Sequence, residues 1–273
     1  MNGFCYIDNR DIFSDFGVII AENGYNNFLT FPTMAEPDKN DWAEFDGTEV
    51  DLSVIRLQPR EISVPFARIN GGALNRFWEF LAAPGYRIIH IPTLSRSWAF
   101  RVTQMPTLVA YDNADVFDIR FTEDAPIIPT GYPAANADIG FPSVISFDGK
   151  TLDKYSIIVT GGLDALERSP NLKQMLTRSN SRMNGQVYDV DFVRFAEKEV
   201  TLNCCLNTSR IEVFWNLYDA FFGDLVKPDE RTIGYKGKNY SAYYRRSNNF
   251  RLHSHAHEIV CEFDVSILIT GQI

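Results

Sequence analysis

The sequence predicts a mainly β protein with some α: two tandem β-sandwich or split-barrel domains, each carrying one flanking helix. Three observations lead there. Short stretches alternate apolar and polar residues, as in Ile62, Val64 and Phe66 against Glu61, Ser63 and Pro65, the period of a half-buried strand. One amphipathic helix pattern with a Phe-Trp pair occurs in each half, at 71–83 and 209–222. Five blocks also recur in the same order, the signature of an internal repeat. DIFSDFGVII (11–20) lies over KTLDKYSIIV (150–159), GTEVDL (47–52) over GQVYDV (185–190) and REISVPF (60–66) over KEVTLNC (198–204). FWEFL (77–81) then lies over FWNLY (214–218) and FDIRF (117–121) over CEFDV (261–265), with offsets of 139, 138, 138, 137 and 144. A tandem duplication is the expectation, with residues 1–127 as the first domain, a linker at 128–143 and residues 144–273 as the second.

Taken in order, the first element is SDFGVII at 14–20. Its Asp-Phe-Gly is not the kinase triplet, because a glycine-rich loop, a strand lysine and a His-Arg-Asp loop would have to precede it. The triplet reads as a turn into a strand at Val18, Ile19 and Ile20. A long polar loop follows, and Asp46-Gly47 marks a hairpin turn within it. The acidic run 41–51 lacks the oxygen spacing of a calcium loop. The helix at 71–83 presents Leu74, Phe77, Trp78 and Leu81 on one face and stops at Pro84-Gly85. Phe117, Ile119 and Phe121 alternate as a closing strand. The stretch 125–142 is rich in Pro, Gly and Ala and nearly uncharged, a semi-rigid connection. In the second half the helix face is Ile211, Phe214, Trp215 and Tyr218, with Thr208 or Ser209 as cap and Gly223 as stop. Ile259, Cys261, Phe263, Val265, Ile267 and Ile269 form one long inward row.

Composition excludes several classes. Hydrophobic residues at 45% and charged residues at 22% describe a globular chain, and 273 residues suffice for two cores. A net charge of −9 offers no basic surface for nucleic acid. The charge is uneven, about −8 on residues 1–130 and −1 on the remainder. No run approaches a membrane span, and nothing in the first thirty residues reads as a signal peptide. The four cysteines, Cys5, Cys204, Cys205 and Cys261, include no CxxC, so neither a disulfide framework nor a zinc site is expected, and synthesis in a reducing cytoplasm is. Hydrolase, NTPase, zincin and dinucleotide motifs are absent from the sequence, so no catalytic residue and no cofactor are expected.

Two sets of residues stand out. His253, His255 and His257 share one strand face and continue the parity of Ile259 and Cys261, a spacing some metal sites use. The preferred reading is a polar strand end at a domain or subunit contact. Trp42 in the loop 22–46, and Arg168, Lys173, Arg178 and Arg182 in the loop 163–184, are candidate assembly contacts, because long loops reach neighbours.

The order DFGVII, polar loop, VDL, REISVPF, FWEFL helix, PGYR and FDIRFTED resembles the distal tail protein family of tailed bacteriophages, and looks similar to related tail-tube and baseplate-hub domains. The resemblance covers most of 4–124 and, through the repeat, 144–269. It implies a β-sandwich of the phage tail-tube type in a homo-oligomeric ring at the tube-to-baseplate junction. Its partners would be other tail and baseplate proteins, with DNA passing through unread and no membrane contact. It further implies a place in the virion tail after synthesis in the bacterial host, a structural role and not an enzymatic one. This chain departs from the common pattern by carrying the unit twice, which leaves trimer or hexamer open. Two other classes remain: a two-domain adhesin or carbohydrate-binding protein, and a metal-dependent hydrolase built on the histidine row.

Overall fold

A computed structural model describes residues 4–69, 71, 73–104, 108–110, 114–174, 177–182, 184–188, 193–255 and 258–272. His257 and residues 189–190 of the GQVYDV block lie outside them. The protein is mainly β, with four α-helices among the described residues. The first half contains β1 (Tyr6–Ile7), β2 (Arg10–Asp11), α1 (Ile12–Phe16), β3 (Val18–Ile20), β4 (Lys39–Asn40) and β5 (Glu49–Val50). It continues with β6 (Arg60–Ile69), α2 (Leu74–Leu81), β7 (Arg87–Ile91), β8 (Arg96–Gln104), β9 (Leu108–Ala110) and β10 (Ala114–Glu123). Its main sheet runs β2-β1-β7-β8-β10-β6-β3, with β9 on β10. Seven strands laid flat would separate the outer two by about 29 Å. Yet β2 and β3 are joined only by α1 and Gly17, and five helical residues rise ~7 Å. The sheet therefore curls until its edges approach, which is the split-barrel form.

The second half contains β11 (Ile145–Phe147), β12 (Lys150–Thr151), β13 (Ile157–Gly161), α3 (Leu163–Glu167), β14 (Thr177–Arg178) and β15 (Val187–Tyr188). It closes with β16 (Lys198–Thr208), α4 (Ile211–Leu225), β17 (Arg231–Tyr235), β18 (Lys238–His255) and β19 (Glu258–Gln272). Its sheet runs β12-β11-β17-β18-β19-β16-β13, the order of the first sheet element for element. A short 3-10 turn, Leu152–Tyr155, bridges its edges where α1 bridges the first.

Small details also correspond. Asp8-Asn9 and Asp148-Gly149 both take positive φ, the two-residue hairpin turn that the strand twist favours. Each aspartate then clamps the hairpin to the next strand. Asp8 accepts from the Ile88 N–H and from Arg87 Nη1, both at 2.8 Å. Asp148 accepts from the Thr232 N–H at 2.8 Å and from Arg231 Nη1 at 2.7 Å.

The alternating rows lie where their period places them. Ile62, Val64 and Phe66 are buried on β6, and Phe66 stacks on Phe117 of β10 with centroids 6.0 Å apart. On β19 the whole row from Ile259 to Ile269 is buried. Three local expectations need correction. Residues 12–16 form a helix, capped by Asp11 and ended by Gly17 at φ 69, before the strand begins. Gly223 does not end α4, which runs on to Leu225; the glycine is buried and makes room for Tyr132, whose ring a Cβ would meet at 2.2 Å. Neither Thr208 nor Ser209 caps α4: the N-cap position is Arg210, and no side chain bonds the free N–H groups there, while the Ser209 N–H goes to Asp138 of the connection.

Candidate assembly interface

The largest difference from the sequence expectation is that the two halves share one core. The buried residues of both sheets belong to a single cluster. The loop 21–59 of the first half, the first arm, lies across the second sheet and joins them. Met34 donates its N–H to the Arg245 carbonyl at 2.9 Å. Arg245 sits at a bulge, where β18 shifts register against β19 between Tyr244 and Arg246, so that carbonyl is free of the ladder. The Phe31 N–H goes to Ser247 Oγ at 3.0 Å, and the Leu252 N–H to Asn26 Oδ1 at 3.1 Å. Tyr218 and Tyr244 donate their hydroxyls to the carbonyls of Leu29 (2.5 Å) and Pro32 (3.0 Å). These bonds satisfy two phenols that would otherwise be stranded in the core; burial pushes both well above the usual tyrosine range.

Phe31 is the plug. It is 3% exposed, stacks on Phe222 at 4.5 Å, and meets Tyr218, Phe250 and Phe263 at 4.5, 5.4 and 5.9 Å. Beside it, Trp98 of β8 packs edge-on to Trp215 of α4 at 5.9 Å, and Trp215 Nε1 donates to the Leu94 carbonyl at 2.6 Å. Arg96 lies 4.2 Å over the Trp215 ring and pairs with Asp219 at 3.0 Å. Burial pushes the Asp219 carboxyl up, against the pull of Arg96.

The arm tip makes the third contact. β4 and β5 pair as a hairpin, but across the eight-residue loop 41–48 and not across a tight Asp46-Gly47 turn; within that loop the two residues turn toward the second half. Asp46 Oδ1 accepts from the Phe195 N–H and the Gly47 N–H donates to the Phe195 carbonyl, both at 2.8 Å. Acidic and basic groups meet around this pair. Lys173 pairs with Asp41 at 2.5 Å and donates to the Trp42 carbonyl at 2.8 Å, and Arg194 donates to the Glu44 carbonyl at 2.6 Å. Gly47 has φ +72, and an added Cβ would lie 1.6 Å from the Thr270 carbonyl oxygen. Gly47→Ala is therefore expected to lift the tip off the second sheet, with at least ~1–2 kcal/mol of backbone strain as the alternative. Hydrogen exchange at 41–50 should accelerate while exchange in β6 stays unchanged.

The other expected contacts are dispersed. Trp42 turns its ring to solvent, 52% exposed, with Nε1 on Glu49 at 3.2 Å. Lys173 is held inside the chain, its side chain 7% exposed. Arg168 pairs with Asp164 on α3, while Arg178 and Arg182 are exposed. Of the histidines, His253 is exposed beside the buried Leu252 and lies opposite Val260, and the His255 backbone pairs with Glu258. His253 does not continue the inward row, because Val260 opposite it is not one of the row's residues on β19. Among the described residues no group of three or more His, Cys, Asp or Glu could hold a metal ion. Among the same residues no helix is long and apolar enough to cross a membrane.

The connection between the halves is anchored along the second. Tyr132 donates to Asp224 at 2.8 Å, and Asp224 also takes Lys150 at 2.5 Å, Lys227 at 2.6 Å and the Tyr155 hydroxyl. Burial opposes ionisation of Asp224, but these four donors outweigh it and hold the carboxyl well below its usual range. Farther on, Ser156 Oγ accepts from the Asp138 N–H at 2.9 Å.

No protein-family profile matches this chain. No curated protein matches it either. A search of solved structures finds similarity to the crystal structure of the Dit (gp 19.1) protein of phage SPP1, described as a paradigm of the hub adsorption apparatus in phages infecting Gram-positive hosts. The identity is 11% and the TM-score 0.33, over 99% of this chain and 98% of that one.

Proposed function

We propose that this chain is a structural component of a phage or prophage tail, at the junction of tube and baseplate, acting by self-assembly and not by catalysis. In this reading residues 1–127 and 144–273 are copies of one module, 128–143 connects them, and the protein closes into a ring around the DNA channel. Tube and baseplate proteins are its neighbours in the virion tail, and synthesis takes place in the host cytoplasm. The resemblance of the segment order to distal tail proteins supports this, and one structural observation carries it. The seam between the halves joins unlike faces: an arm and the start of β8 on one side, α4 and β18 on the other. A contact between unlike faces of like units propagates, and closes into a ring when the rotation allows. The acidic first half fits a channel that repels phosphate.

Negative-stain electron microscopy of the concentrated protein tests this reading. Annular particles with an open centre are expected. Compact monomers at every concentration, alone or mixed with tube protein, would overturn it.

A further inference from the structure

The second half carries an arm built like the first. Lys173 donates to the Arg194 carbonyl and Ala196 to the Asn171 carbonyl, as Ala35 does to Arg56 and Gln58 to Thr33, each partner 138 residues along. Bridges Met34–Leu57 and Leu172–Phe195 match in the same way, as do the small ladders β4–β5 and β14–β15. What each arm touches differs. The first arm is docked, with Met34 6% exposed. In the second, Leu172, the counterpart of Met34, is 52% exposed and Val187 54%.

The backbone groups that would mate are both open. Phe195 faces outward from its bridge, and its N–H and carbonyl receive Asp46 and Gly47. Leu57 is its counterpart in the first half: its side chain is half-buried against the core, while its backbone N–H and carbonyl point away from an equivalent bridge. Neither its N–H nor its carbonyl has a hydrogen bond among the described residues. The counterparts of Asp46 and Gly47 are Asn184 and Gly185. Gly185 has φ +80, close to the +72 of Gly47, and a Cβ there would meet nothing within 4 Å. Asn184 offers an amide oxygen where Asp46 offers a carboxylate.

Charge reverses in part. Within the chain the tip's Asp41 pairs with Lys173 of the base, and Arg194 of the base donates to the Glu44 backbone carbonyl. The second tip carries exposed Arg178 and Arg182, in no ion pair among the described residues. The base of the first arm carries exposed Glu36, paired with Lys39, and exposed Asp38, together with Arg56 at the position of Arg194.

Building on the ring reading, we propose that the second arm of one copy docks on the first half of another copy, Asn184 and Gly185 seating on Leu57 as Asp46 and Gly47 seat on Phe195. Each chain then advances the assembly by two similar steps, one within the chain and one between chains. The second step is the weaker, because Ser169 stands where the first arm has the plug Phe31.

Two experiments test the contact. The double variant Leu172→Asp, Val187→Asp alters exposed side chains only, so its melting curve should match the wild type. Sedimentation should show its half-assembly concentration raised about tenfold or more. Unchanged assembly would overturn the docking while leaving the ring reading intact; a wild type that never assembles would overturn both. Separately, Gln186→Cys protein mixed with Gln58→Cys protein and a short bis-maleimide should yield a cross-linked pair exceeding that from either variant alone. Three of the four native thiols are buried and one half-buried, which keeps the background low. Assembled particles without that product would also overturn the proposal.

Discussion

Replacing Phe31 with alanine should destabilise the protein by about 3–5 kcal/mol, the range for deleting a fully enclosed aromatic side chain. The ring contacts Tyr218, Phe222, Phe250 and Phe263, so its removal leaves a space lined by aromatic side chains. In a chain of this length that corresponds to a fall in melting temperature of about 10 °C. The shape of the transition is more informative than its midpoint. Phe31 joins the two halves of the core, so the variant should melt in two steps where the wild type melts in one. Phe31→Leu, which keeps most of the volume, should lose about 1.5 kcal/mol and keep a single step. Calorimetry decides: a single unshifted transition for Phe31→Ala would mean that the halves are coupled elsewhere.

Asp224→Ala should cost about 1–3 kcal/mol, chiefly because it strands the buried Tyr155 hydroxyl. Its charged partners Lys150 and Lys227 are 40% and 50% exposed and add little. Its side chain is 12% exposed and ties the connection (Tyr132), the edge strand β12 (Lys150) and the 3-10 turn (Tyr155) to α4. Without it the Tyr155 hydroxyl, buried at 1% exposure, loses its acceptor. Proteolysis between 126 and 137 should accelerate. The pH dependence follows from the lowered carboxyl. A group whose pKa is lower folded than unfolded adds stability above the unfolded value and loses it as pH falls. The gap between wild type and Asp224→Ala should therefore be full above about pH 5 and shrink below about pH 4. Urea titrations at neutral and acid pH measure this; a gap independent of pH would assign the loss to packing alone.

Much of the fold was legible because it is periodic. The inward row on β19, the alternation of β6 and the Phe-Trp helices are local patterns, and the repeat of blocks forecast two sheets of one order. The docking of the first arm was not legible. Its contacts span more than 200 residues, from Phe31 to Ser247 and from Met34 to a bulge carbonyl at Arg245, and neither end has a period. Phe31 in a loop, between Thr30 and Pro32, gives no sign of a plug until its pocket is seen. Gly223 shows the same limit: a glycine near a helix end reads as a stop, while here it admits the Tyr132 ring. His253 was misplaced because a parity count was carried across a hairpin. The offset of 138 already pairs Gly185 with Gly47 in the sequence; that Gly47 is seated on the second sheet while Gly185 has open space around it is not written there.

A cryo-electron microscopy reconstruction of the assembled protein bears most directly on whether unlike faces link these units head to tail. The account predicts a closed annulus in which neighbouring chains meet in the orientation that relates the two halves of one chain, with the second arm on the next copy's first sheet. Twofold dimers burying identical patches on both partners, or a particle in which that arm points into solvent, would contradict it.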